Sequence, residues 1–333
     1  MTPAFTFDDV RHRVDELRQR LNRLRTGLAE LFVDKEEVID LMVIAALAQE
    51  PLLIVGRPGT AKSDLVIKFC QALGLEEGDY FEYMLTRFTE PGEIIGPVDI
   101  EQLKAGRYLR RPEGKLPNAR LVFLDEIFKS NSAILNTLLT VINERKYYQD
   151  GKPTPVKMKV LFAATNEIPE FTELDALKDR FTLKVESRSV RAQRFDELLD
   201  KGLRNSTYRA FNQKPWANMA SLEDFEMLKL YLDTVMMQGA DAGRRTHGDR
   251  ERHFPDDVFA LFRRILRTLE KEDGIEISDR KVIKLYRLIR ARAFLFHGGV
   301  VGREDLSLLR YIPDKLQDFQ PVREKVDTLL KLG

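Results

Sequence analysis

Three short apolar runs constrain this chain more than anything else in its sequence. They are Leu52–Val55, Leu121–Leu124 and Val160–Ala164, and each stops on polar residues: Gly56, then Asp125 with Glu126, then Thr165 with Asn166. Runs of four or five apolar residues without alternation are strands buried on both faces, the habit of a parallel sheet. Helical periods lie between them, as where Leu65, Val66, Phe69 and Leu73 share one face. The alternation predicts an α/β fold in which helices cover a parallel sheet and ligands meet the carboxyl ends of the strands. After about Val190 the apolar period is helical, so residues 189–333 read as a smaller helical domain. Within it, residues 239–254 are rich in glycine and charge and read as a mobile loop.

The N-terminal residues 1–33 carry a different pattern. Val10, Val14, Leu17, Leu21, Leu24, Leu28 and Leu31 are spaced alternately by four and three, which lines one side of a helix. That seam either docks on its own domain or binds a partner as a coiled coil, and three heptads favour docking. Asp34 and Glu37 form a D-x-x-E pattern expected to cap a second helix running to about Gln49, before Pro51. The α/β domain is expected to span 34–188.

Composition removes several classes of function. Lys plus Arg number 54 against 53 for Asp plus Glu, a formal net charge of +1, which argues against a dedicated nucleic-acid coat. The single cysteine, Cys70, excludes a disulfide framework and a cysteine-rich zinc site. Four histidines, His247 and His253 among them, do not form a metal-binding pattern. The first ten residues hold Asp8 and Asp9 and no basic-then-apolar sequence, so no signal peptide is expected. The longest apolar run, Leu41–Ala48, is far short of the roughly 20 residues of a membrane span. A soluble, cytoplasmic protein is expected.

The chemistry gathers at the ends of the apolar runs. Gly56, Arg57, Pro58, Gly59, Thr60, Ala61, Lys62 and Ser63 follow a strand and open a helix, as a phosphate-binding loop does, with Ala61 where a second glycine is usual. In such a loop, backbone N–H groups and a helix N-terminus face the phosphates. Lys62 offsets their charge and the Ser63 hydroxyl reaches Mg²⁺. Asp64 completes the expected nucleotide-binding set. Asp125 is placed to hold Mg²⁺ and Glu126 to polarise an attacking water; alternatively they are solvated carboxylates opening a helix. Asn166 has the position of a residue that orients the water. Arg180, in Asp179-Arg180-Phe181, either pairs with an acid of its own domain or reaches a neighbour's γ-phosphate. Arg280 follows Ser278, a candidate N-cap, and a cation in a first helical turn hints at an anionic partner.

In this order the segments resemble an AAA+ ATPase: Walker A at Gly56–Ser63, Walker B at Leu121–Glu126, sensor 1 at Asn166, arginine finger at Arg180 and sensor 2 at Arg280. FEYMLTRFTEPGEIIGP (81–97), LVFLDEIFKSNSAILNTLLTVINER (121–145) and ATNEIP (164–169) closely resemble the MoxR family, particularly its RavA-like branch. The resemblance spans roughly Leu31 to Ile312 and is weakest over Leu203–Phe254. It implies an αβα P-loop core followed by a helical lid, a homo-hexameric ring with ATP and Mg²⁺ at subunit interfaces, and protein remodelling with a von Willebrand factor A-domain partner. It also assigns residues 97–117 as a helix-2 insertion facing the pore or ring surface, and 144–155 as the hairpin before sensor 1. There Lys146, Tyr147 and Tyr148 either grip a polymer or pack the hairpin onto its own domain. RavA-like relatives can carry a further domain after the lid. With none visible before Gly333, partner recognition is expected at the N-terminal helix, the inserted loop or the ring faces.

Two other functions fit parts of the pattern. A nucleic-acid-translocating AAA+ motor would share the insertion, but near-neutral charge speaks against it. An ATP-gated scaffold with little turnover would not need the Asp125, Glu126, Asn166 and Arg180 set. A metal-insertion role would need a second subunit to hold the metal.

Overall fold

The computed structural model describes residues 5–237 and 251–332. Five parallel strands, β1 (Leu52–Val55), β2 (Tyr80–Met84), β3 (Leu121–Asp125), β6 (Val160–Thr165) and β7 (Leu183–Glu186), form one sheet in the order β2-β3-β6-β1-β7. Leu52 lies opposite Phe162 on one side and Leu183 on the other, and Leu121 opposite Val160. The strands β4 (Lys146–Gln149) and β5 (Lys152–Pro155) make a separate antiparallel hairpin. The α/β core with a parallel sheet is therefore present. Only three of its five strands stand out as apolar runs in the sequence. β2 (YFEYM) sits at an edge and alternates, and β7 (LKVE) is interrupted by Lys184.

Alternate residues of the sheet feed two cores. Leu52, Ile54, Phe123, Phe162 and Val185 face one, while Leu53, Val55, Val122, Leu124 and Ala163 face the other, as a period of two requires. The first core is covered by α2 (Val14–Ala29), α3 (Glu36–Ala48) and α4 (Lys62–Ala72) together with helices from the C-terminal half. Those are α10 (Leu222–Met237), α11 (Asp256–Asp273), α12 (Asp279–His297) and α13 (Phe319–Leu332), joined by a 3₁₀ segment at Arg303–Tyr311. The second is covered by α5 (Pro91–Ile95) and α7 (Ser132–Glu144). The short helices α1 (Phe7–Arg11), α6 (Ile100–Lys104) and α8 (Asp175–Lys178), and the longer α9 (Phe195–Ala210), complete the described elements used below.

The N-terminal seam docks on its own chain. Val10, Leu17, Leu21, Leu24 and Leu28 are buried in the same core as α3, α10 and α12. Each full burial of such a side chain is worth about 1.5–3 kcal/mol, so the seam is a structural element and not a free partner-binding face. The capping expectation at Asp34 is not met. Lys35 is the N-cap residue of α3 and makes no side-chain cap, while Asp34 takes a left-handed φ of 58° just ahead of it. The expected loop at 239–254 falls mostly on residues 238–250, outside the described residues, as does His247; Phe254 is fully buried. Among the described residues no helix is long and apolar enough to cross a membrane.

Residues 97–117 and the β4–β5 hairpin are tied together. Asp150 N donates to Tyr108 O at 2.8 Å, and its carboxylate accepts from Tyr108 N at 3.1 Å. Of the two hairpin tyrosines, Tyr147 is buried and Tyr148 is half exposed, so one packs and one remains presented.

Candidate active site at the strand ends

The tips of three adjacent strands, β3, β6 and β1, bring the predicted phosphate loop, carboxylates and amide together. Gly56 continues β1 and donates to Thr165 O at 3.0 Å. A Cβ there would lie 2.5 Å from Ser187 O and 2.8 Å from Thr60 Oγ1, so only glycine fits without moving backbone. Thr60 Oγ1 donates to Arg57 O at 2.8 Å, and Ser187 Oγ to Thr60 O at 2.7 Å. Arg57, Pro58 and Gly59 are exposed at the loop's crest. Ala61 precedes α4 at φ 66°, the left-handed region where glycine is at ease and alanine costs about 1 kcal/mol.

Lys62 lies buried beneath this loop. Its Nζ donates to Gly56 O at 2.5 Å, Arg57 O at 3.2 Å and Asn166 Oδ1 at 3.0 Å. Burial pushes its pKa down, and Asp125 and Glu126 pull it back up. Ser63 Oγ stands 3.5 Å from Asp125 Oδ2, and the other Asp125 oxygen accepts from Glu126 N at 2.8 Å. Glu126 takes a left-handed φ of 53° and is nearly buried, which aims its carboxylate back at the strand tips. That carboxylate accepts from Asn166 Nδ2 and pairs with Lys129 Nζ at 3.2 Å. One amide thus bridges the lysine and the second carboxylate.

These donors fit a magnesium nucleotide. Ser63 and Asp125 offer two hard oxygens side by side, as Mg²⁺ prefers, next to the N-terminus of an 11-residue helix. Asp64 pairs with Lys68 Nζ at 2.8 Å, lies 3.9 Å from Arg209 and borders a cavity beside the loop.

Beside the loop a cavity of about 290 Å³ is walled by Gly59–Ala61, Phe32, Val33, Val190 and Leu198. α9 roofs it through hydrogen bonds to one short loop: Lys201 Nζ to Phe32 O at 2.6 Å, Arg204 to Glu30 O at 2.8 Å and Asn205 to Leu31 O at 2.9 Å. Lys35 Nζ, its pKa lowered by burial against the opposing pull of Asp34 and Glu36, donates to Arg188 O at 2.5 Å and closes the floor. The size and half-apolar lining suit a base and sugar. No sequence motif marks this wall, because it is assembled from three separate segments.

The two predicted arginines lie elsewhere. Arg180 Nη1 pairs with Asp179 at 2.8 Å and is mostly buried, with Nε lacking a partner. Asp179 in turn accepts from Ser278 Oγ at 3.2 Å, and Lys284 Nζ donates to Arg180 O at 3.2 Å. Ser278 does cap α12, accepting from Lys281 N at 3.2 Å, and Arg280 is exposed in its first turn, 3.4 Å from Asn143 Oδ1. Asp179 comes just before β7, and Lys284, one turn after Arg280, pairs with Glu50 just before β1 at 3.1 Å, so both arginines flank the amino ends of the sheet. Strands of four to six residues separate them from the phosphate loop by roughly 13–20 Å at about 3.3 Å per residue.

Under Arg280 lies a charge cluster that the sequence pattern conceals. Fully buried Lys184 Nζ is 2.6 Å from Asp314 and donates to Phe181 O at 2.5 Å; Lys281, almost as buried, reaches Asp314 at 3.2 Å. Burial lowers the Lys184 pKa to about 8 against the pull of Asp314. A further grouping, His297 with Glu304 and Asp305, resembles a metal-ligand set in spacing. Arg292 and Gly302 N already occupy Asp305, which makes it an ion-pair network.

Comparison with known proteins follows the same lines. The family described as the MoxR domain in the MoxR-vWA-beta-propeller ternary systems matches residues 19–227, and an AAA lid domain matches residues 257–325. An uncharacterised protein of Methanocaldococcus jannaschii is 40% identical over 304 residues, covering 90% of this chain and 71% of the relative. Chaperone MoxR1 of Mycobacterium tuberculosis is 26% identical over 169 residues, 50% of this chain and 43% of that protein. A solved candidate ATPase from Cytophaga hutchinsonii shares the fold, with a TM-score of 0.70 over 96% of both chains at 16% identity.

Proposed function

We propose, on the premise that this chain belongs to the MoxR family of AAA+ ATPases, that it hydrolyses ATP with Mg²⁺ in a ring and uses the cycle to remodel or assemble protein complexes. The observation that carries the reading is the Asn166 bridge between Lys62 and Glu126, beside the Ser63 and Asp125 oxygens. Ser63 and Asp125 would hold Mg²⁺, which when bound would offset the charge of the phosphates. Lys62 leaves its carbonyl partners for those phosphates, since an anion satisfies a buried ammonium better than peptide oxygens do. Glu126 takes a proton from the water that attacks the γ-phosphorus, while ADP departs with the bonding electrons. Asn166 and Lys129 hold the carboxylate in place.

Arg180 and Arg280 act on the neighbouring subunit's nucleotide in this reading. They lie a sheet's length from their own Lys62, so a composite site needs a second copy; a homo-hexamer is the proposed form. Release of Arg180 from Asp179 accompanies assembly. The core at 34–188 binds nucleotide, and helices of the lid at 189–333 pack against α2 and α3. The likeness to a chaperone and the family's description support a chaperone-like role with a von Willebrand factor A-domain partner; the proposed setting is the cytoplasm. The finer RavA-like placement rests on the segments at 81–97, 121–145 and 164–169. Glu126→Gln is expected to bind a fluorescent ATP analogue as tightly as the parent and to lose turnover. Hydrolysis at the parental rate by that variant would refute the assignment.

A further inference from the structure

Three carbonyls of the phosphate loop are held by side-chain donors. Gly56 O and Arg57 O accept from Lys62 Nζ, and Arg57 O also accepts from Thr60 Oγ1. Those donors belong to the loop itself. Thr60 O is different: it accepts from Ser187 Oγ at 2.7 Å, 127 residues away in sequence. Among the described residues, Ser187 is the one side chain from outside 56–63 that donates to a loop carbonyl. Main chain fixes its place. Ser187 N donates to Val55 O at 2.7 Å, just past the end of β7, and Ser187 O lies against Gly56. The residue is 1% exposed, so water does not compete for its hydroxyl.

This hydrogen bond orients more than a carbonyl. A trans peptide is planar, and its C=O and N–H point in opposite directions. With Thr60 O held against buried Ser187, the Ala61 N–H points the other way. There it joins the N–H groups of the first turn of α4, which has no side-chain cap. Such a row of N–H groups is what a phosphate meets.

Ala61 makes the hold necessary. At φ 66° it occupies the left-handed region, which L side chains disfavour and glycine does not. Flipping the 60–61 peptide returns residue 61 to negative φ, as between type II and type I turns. Alanine gains from that flip and glycine does not. The flipped peptide would present a carbonyl to the phosphates in place of an N–H.

We infer that Ser187 is a positioning residue for the phosphate loop. It holds the 60–61 peptide against the flip that Ala61 favours, and so keeps the Ala61 N–H facing a bound di- or triphosphate. The inference rests on the ATP-binding reading and goes beyond it, since nothing in the loop's own pattern points to the end of β7. Ser187 acts through Thr60 and Ala61, not by contact with the nucleotide.

Nucleotide titrations of the full chain with Mg²⁺ test this, with ADP as the probe and AMP, which lacks the β-phosphate, as the control. Ser187→Ala should weaken ADP binding on the order of tenfold, through the lost hydrogen bond and the freed peptide. AMP binding should stay within about twofold of parental. Adding Ala61→Gly to Ser187→Ala should recover most of the loss, because glycine has no bias towards the flipped peptide. Should Ser187→Ala melt below the titration temperature, Ser187→Cys, a weaker donor of similar shape, repeats the test. An unchanged ADP affinity, an equal loss for AMP, or a loss that Ala61→Gly does not lessen would each overturn the inference and leave nucleotide binding in place. A parent that binds neither ADP nor ATP would remove the ATPase reading together with the inference.

Discussion

Asp314→Asn is the most informative single change outside the phosphate loop. Asp314 is the carboxylate that faces both Lys184, fully buried in β7, and Lys281, in the first turn of α12. Removing its charge leaves two neighbouring ammonium groups without a counter-ion, and breaking such a buried pair costs about 3–5 kcal/mol. The penalty has a pH signature. The folded-state pKa of Lys184, about 8, lies below the ordinary value of 10.5, so between those limits the unfolded chain binds the extra proton. The Lys184 contribution to parental stability is therefore least favourable below pH 8 and improves towards pH 10.5, by about 3 kcal/mol at roughly 1.4 kcal/mol per unit. Once Lys184 is neutral in both proteins, its share of the Asp314 interaction vanishes. Urea denaturation at pH 7 and pH 9.5 should show a large destabilisation that narrows by about 1 kcal/mol or more at the higher pH. A loss under about 1 kcal/mol at pH 7, or one that does not change with pH, would refute the reasoning.

Two further outcomes follow from local geometry. Ala61→Gly should raise stability by about 0.5–1 kcal/mol by relieving a left-handed alanine, read as a higher denaturation midpoint; a lower midpoint would mean the Cβ makes a contact worth more than the strain. Leu21→Asp buries an unpaired carboxylate in the core shared by α2 and the C-terminal helices, and should cost more than about 3 kcal/mol and abolish cooperative melting. A normal melt would mean α2 is dispensable.

What was legible in the sequence was local. The phosphate loop, its strand and its helix are contiguous, and the strand tips at Asp125 and Asn166 are signalled by apolar runs that stop short. The docked seam at Val10–Leu28 was legible for the same reason. The rest depends on distant segments. β7 was obscured because Lys184 breaks its apolar run, and only the fold reveals that Asp314, 130 residues later, makes that lysine tolerable. The cavity wall joins residues 31–35, 188–191 and 198–209, none with a pattern of its own. Asp34 looked like a cap because the pattern fits, yet the backbone turns left-handed there and the helix starts later.

The central claim is that hydrolysis needs a second copy. Steady-state ATP hydrolysis with Mg²⁺, measured against protein concentration for the parent and for Arg180→Ala, tests it most directly. Specific activity should climb with concentration in the parent and collapse in the variant. Activity that is independent of concentration and untouched by Arg180→Ala would contradict the account.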